Sequence, residues 1–239
     1  LASPLSIGTA PVNQCFTYGR ANNFPGIFSG GYSYWSVGGQ TYGQANLAHH
    51  FSAQIERWTS LTTYARADFN NFSQAGAPFG FVTSYLRFGG HLTREITNNM
   101  DLVLTGGYDA TRREGTWHSG GRVGLKGVSG IGSNAFASLG VMGYFDSAGD
   151  QLVFASNPSG VEVVGTYGQQ FWFNGPVFVV NCHGYEFGGG TTQYGWRVDG
   201  YLSTPRGLLT LNGLAGHDGL NGNYYSVGAF VNLGFNIGM

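Results

Sequence analysis

Alternate residues of HSGGRVGLKGV (118–128) fall into two sets that cannot share a solvent. His118, Gly120, Arg122, Gly124 and Lys126 carry both positive charges, and Ser119, Gly121, Val123, Leu125 and Gly127 carry none. A period of two is the repeat of a β-strand, whose successive side chains point to opposite faces, and not the 3.6-residue repeat of a helix. The same alternation recurs along the chain without a convincing helical stretch, and no run of 18 or more apolar residues is present, so a membrane-spanning helix is excluded. The chain is therefore expected to be all-β, and the question becomes what lies on either side of its sheet.

About a dozen alternating segments of roughly ten residues can be marked out, each closed by turn-type residues. The clearest are 59–69, 81–93, 101–110, 118–128, 135–145, 195–203, 208–216 and 225–237, with weaker ones at 15–24, 42–51, 161–173 and 177–187. Short connections (52–57, 97–99, 129–134, 174–176, 204–207) alternate with longer polar, glycine-rich ones (70–80, 111–117, 146–160, 188–194, 217–224). That pattern predicts hairpins with one tight and one elaborated end. Counting from Cys15 gives twelve strands, with ten and fourteen left open by the ambiguous regions 25–45 and 146–160. Nothing marks a second domain: residues 1–14 read as an irregular N-terminal extension and 15–239 as one barrel. The chain opens at Leu1 without a signal-peptide pattern, as expected of a mature form or a fragment.

The residues on each face decide between a soluble sandwich and a barrel in lipid. Charged residues make up only 10% of the chain, against roughly 25% in soluble domains. The charge-free face is often Ala, Gly, Thr or Ser, which would fill the core of a sandwich poorly. The polar face carries single mid-strand charges: Arg66 and Asp68, Arg87 and His91, His118, Arg122 and Lys126, Arg197 and Asp199. An Arg or Lys at mid-membrane on the lipid side costs roughly 2–4 kcal/mol, so five of them facing outward would cost about 10–20 kcal/mol. Such a cost is comparable with the whole stability of a domain. These charges are expected to face inward in a closed antiparallel transmembrane β-barrel. Trp58, Trp117, Trp172 and Trp196 lie at or near segment ends, where aromatic girdles sit at the two interfaces. A soluble secreted β-sandwich is the competing fold.

With this architecture, and with patches such as GGYDATRREGTWHSGGRVGLKG (106–127), the chain resembles the bacterial outer-membrane β-barrel proteins over residues 15–239. Many of those proteins end in Phe or Trp, whereas this chain ends FNIGM, with Phe235 four residues short of the end. The resemblance implies an outer-membrane location, contact with outer-membrane lipid and a porin-like role. Lumen-lining residues would be Arg66, Arg87, Arg122, Lys126, Arg197, Asp68, Asp199, His91 and His118. Clusters of inward Arg suit a passive channel for small hydrophilic, anionic solutes. Two alternatives stand beside it. The charges could pair, Arg66 with Asp68 and Arg197 with Asp199, to fill a closed structural barrel whose long loops hold a cell-surface partner or further copies. A translocator of the autotransporter kind would need a passenger, and none is visible.

Chemistry beyond passage finds little support. His118 and Ser119 are adjacent, so they point to opposite faces and cannot form the alternate-residue pair of a lipid-facing hydrolase. Asp109, Glu114, His118, Asp146 and Asp150 could in principle supply a protease-like rim, but nothing in their spacing fixes a geometry. No enzyme activity, cofactor or metal site is expected: the six His are scattered, and the GGG at 188–190 is followed by no Lys. The net charge of −1 gives no argument for nucleic acid. Cys15 and Cys182 could form one disulfide or remain two thiols. Small outward residues (Ala65, Ala67, Gly121, Gly200) would permit close contact between barrels in a homo-oligomer.

Overall fold

A computed structural model of the chain describes residues 26–37, 40–71, 82–113, 116–132, 134–145, 159–170, 177–187, 191–203, 209–219 and 222–235. Twelve strands are found among them: β1 (Gly26–Val37), β2 (Gln40–Glu56), β3 (Thr59–Asn71), β4 (Val82–Thr97), β5 (Met100–Arg113), β6 (Thr116–Ile131), β7 (Ala135–Phe145), β8 (Gly160–Gln170), β9 (Val177–Phe187), β10 (Thr191–Ser203), β11 (Leu209–Asp218) and β12 (Gly222–Phe235). Each pairs antiparallel with its neighbours in sequence, and β1 also pairs with β12 from Gly26↔Phe235 to Val37↔Tyr224. The sheet is thus a closed barrel with no free edge among the described strands. The shortest strand, β11, has 10 residues. At about 3.3 Å per residue and a tilt of about 40° it rises roughly 25 Å, the height of a bilayer's apolar band.

Three sequence expectations need correcting. The first strand is Gly26–Val37, in the region that composition left ambiguous, because its glycines and aromatics pair on both sides; segment 15–24 lies outside the described residues. Many strands are longer than ten residues: β2 has 17, β4 and β6 have 16 each. Hence the expected connection 52–57 shrinks to Arg57 and Trp58. For the same reason the strict alternation of tight and elaborated ends does not hold. The polar stretch 111–117 continues as paired strand, since Arg112↔Trp117 and Arg113↔Thr116 extend the ladder and leave two residues between β5 and β6. The separations between strands are long only at 72–81 and 146–159 on that end of the barrel. At the other end, Glu95 N–H donates to the carbonyl of Trp58 (2.9 Å) and Gly130 N–H to that of Asn99 (2.8 Å), locking adjacent turns together. Gly132, with φ at 65°, supplies the left-handed residue of the β6–β7 turn.

Burial runs opposite to that of a soluble protein. Along β6, Arg122, Gly124, Lys126 and Val128 are buried while Val123 and Leu125 are exposed. The same holds around the wall. Phe28, Leu47, Phe88, Leu104, Leu139, Val163, Leu211 and Val227 are exposed outward, and Ser29, Arg87, Thr105, Ser138, Glu162, Thr166, Asn212 and Ser226 are buried inward. Small hydrophobic clusters, such as Val103–Val128–Phe136, occur among the inward residues.

The barrel interior as candidate functional site

The interior is organised by direct cross-strand pairs. Arg66, Arg87, Asp109 and Gly120 form one row across β3, β4, β5 and β6. Two like charges face each other in that row, Arg66 opposite Arg87, an arrangement that costs energy unless a counter-charge is near. Asp109 supplies it. The Arg87 Nε–H donates to Asp109 Oδ1 at 2.9 Å, and Arg122 Nη1–H donates to the same carboxylate at 3.3 Å. Arg122 also donates to the hydroxyl of Tyr64, and its guanidinium carbon lies 5.6 Å from the centre of the Tyr64 ring, within cation–π range. The His91 ring packs against the same tyrosine ring, tilted, with centroids 5.1 Å apart. The result is a stacked, hydrogen-bonded cluster whose Arg87, Arg122 and Asp109 side chains are 4% exposed or less.

Tyr64 and Arg122 can lie against the wall because glycines face them. Tyr64 is directly opposite Gly89, and a Cβ there would stand 2.5 Å from the tyrosine oxygen. A Cβ at Gly107, opposite Arg122, would meet that guanidinium at 3.2 Å. The device recurs: Phe136 covers Gly168, Phe230 covers Gly31 and Tyr224 covers Gly216, each pair directly opposed and each leaving no room for a Cβ. Aromatic rings laid over inward glycines fill the space those glycines leave and fix the register.

The remaining candidates sit in different surroundings. Arg197 pairs with Asp199, two residues along β10, Nε to Oδ2 at 2.8 Å. Lys126 faces inward and is buried, four residues along β6 from Arg122, and His118 is half-buried near the start of β6. Asp68 shares the inward parity of Arg66, but its side chain lies outside those described, so the expected Arg66–Asp68 pair does too. Among the described buried residues, five cations (Arg66, Arg87, Arg122, Lys126, Arg197) face three carboxylates (Asp109, Glu162, Asp199).

Sequence reasoning missed a second, uncharged wall. Trp35 is fully buried, and its indole N–H donates to Ser33 Oγ (3.1 Å) and Gln44 Oε1 (3.2 Å). The signal was present as the alternation of Ser29, Ser33 and Trp35 inside β1, hidden by aromatics on both faces of that strand. Trp58, Trp117 and Trp196 are exposed on the outside, whereas Trp172 lies outside the described residues. Cys182 is exposed on the outward face, and Cys15, the other half of the possible disulfide, lies outside the described residues. Gly121, expected to offer an open approach to a second barrel, is instead covered by the Phe145 ring. Asp109, weighed above as part of a rim, is bound to Arg87 in the interior. Among the described residues no cluster of three or more His, Cys, Asp or Glu could hold a metal.

A closed barrel with an apolar outside and a charged inside defines the porin-like class of fold. Solved structures share it. The KdgM porin, determined in complex with disordered oligogalacturonate, matches with a TM-score of 0.55 at 10% identity over 85% of this chain and 98% of that one. The Pseudomonas putida toluene transporter TodX matches with a TM-score of 0.51 at 8% identity over 89% and 90%. At such identities the likeness is one of fold alone. No family model and no curated protein matches the sequence.

Proposed function

We propose that this protein is a bacterial outer-membrane β-barrel that passes small hydrophilic, anionic solutes through its interior. The observation that carries the reading is the inversion of polarity across one wall: Leu139, Val123 and Val227 are more than half exposed outside, while Arg66, Arg87, Arg122, Lys126 and Arg197 are buried inside. Exposed apolar surface of that extent needs lipid as its solvent. Among the described buried residues five guanidinium and ammonium groups stand against three carboxylates, a balance that favours anions along the interior. Trp58 at one end, and Trp117, Tyr194 and Trp196 towards the other, supply the interfacial aromatics. The KdgM porin, which was solved with an acidic oligosaccharide, supports solutes of that charge. Passage needs no reacting group, and the reading is non-enzymatic.

A second reading has its own observation. Arg87 is 3% exposed and Asp109 0%, which suits a barrel closed by its own side chains and serving as an anchor for loop-mediated partners or for its own copies. Conductance in a planar bilayer under a salt gradient separates the two. Steady anion-selective steps are expected, with selectivity falling towards unity in the Arg87→Ala/Arg122→Ala double variant. Inserted barrels that stay silent would assign the protein to the closed class.

A further inference from the structure

Four strands bring apolar side chains to one end of the interior. Val103 stands near the start of β5, Val128 near the end of β6 and Phe136 near the start of β7, and the three form one buried cluster. Tyr201, inward near the end of β10, packs against it. That contact cannot be made along the wall. Within the sheet Tyr201 is directly opposite Val177 on β9 and Asn212 on β11. Even the nearest member of the cluster, Phe136, is three strands round the ring from β10, about 14 Å of wall at the usual strand spacing. The phenol ring therefore meets the cluster through the interior, along a chord of the barrel. Its hydroxyl end lies beside Asp199 and within the field of Arg197 and Arg66, the latter on β3 in the opposite wall. Tyr201 is thus a crossbar, with its ring on an apolar platform and its hydroxyl among the ions.

We infer that Tyr201 sets the size limit for passage through the interior. Val103, Val128 and Phe136 are buried, whereas Tyr201 is only partly so, and its ring bounds the water-accessible space at this end. A solute moving along the axis meets that ring beyond the charged stretch that holds Arg66, Arg87, Arg122 and Arg197. A side chain projecting across the path narrows it sterically, and an apolar lining narrows it further by disfavouring water. The inference rests on the reading of passage proposed above and names the residue that decides which solutes fit.

Tyr201→Ala would remove the crossbar, and Tyr108→Ala would remove the same group from the lipid face, where Tyr108 is exposed. Single-channel conductance in planar bilayers and liposome swelling in arabinose and raffinose would be compared with those of the unaltered barrel. Expected for Tyr201→Ala is a rise in conductance of about twofold or more, with raffinose uptake gaining more than arabinose uptake. Tyr108→Ala should change neither. Tyr201→Cys in a Cys15→Ser/Cys182→Ser background gives a second test within one folded population. Its enlarged steps should shrink towards the original size once benzyl methanethiosulfonate restores a ring at that position. Conducting barrels whose steps and raffinose uptake ignore both changes at Tyr201 would overturn the crossbar and leave passage intact. A silent unaltered barrel beside a conducting Tyr201→Ala variant would support it, with the ring closing the path outright. Silence of every inserted barrel would overturn both readings.

Discussion

Asp109 is the residue on which the charged cluster turns. It is fully buried, and both Arg87 and Arg122 donate to it. Asp109→Ala would leave buried guanidinium groups without that counter-charge, and breaking a buried pair typically costs about 3–5 kcal/mol. Urea unfolding of the barrel in lipid vesicles should show a loss of that size, and a change below 1 kcal/mol would mean that water or another carboxylate already screens the two arginines. Packing at the same scale is testable at Gly168, whose absent Cβ is replaced by the Phe136 ring. Gly168→Ala is expected to destabilise by about 1–3 kcal/mol, the usual cost of overpacking. Shortening the ring to Phe136→Leu should recover part of it, seen as coupling in a double-mutant cycle. Inward charges on the polar parity were legible from sequence at this scale, because a charge facing lipid is too costly to permit. The partners were not: Tyr64, His91 and Arg122 are far apart in sequence and meet only once β3, β4 and β6 are registered.

Each strand presents one face to each solvent, so the same substitution has opposite consequences one residue apart and graded ones along its length. Leu139 is outward in β7 and 66% exposed, while Ile131 is outward at the turn end of β6. Leu139→Arg should cost about 2–4 kcal/mol and Ile131→Arg about 0–1 kcal/mol, following the depth dependence of charge in a bilayer. Equal costs at the two positions, measured by the same unfolding assay, would contradict the placement of the apolar band. Periodicity located eleven of the twelve strands before any coordinates, because alternation survives in each of them. It missed β1, whose outward Tyr32 and Tyr34 flank inward Ser33 and Trp35 with aromatics on both faces. It also cut strands short at polar residues, reading Arg112 and Arg113 as loop when the ladder carries them beyond the apolar band.

Orientation of the whole barrel can be read through Cys182, exposed on the outside beside Gly165 and Trp196. In a Cys15→Ser background, a lipid-soluble maleimide should label Cys182 in bilayers and a charged maleimide should not, with both reacting after urea unfolding. Rapid reaction with the charged reagent in the inserted barrel would put that wall in water. By itself the sequence determined the class of fold, the sense of the wall and the inward set of charges. All three follow from local alternation and from the cost of placing charge in lipid, which act residue by residue. Tertiary structure alone decided which strand closes the ring, which glycine each aromatic ring covers, and which arginines share Asp109. Those depend on register between strands, and register is set by the summed fit of every pair around the barrel rather than by any one segment.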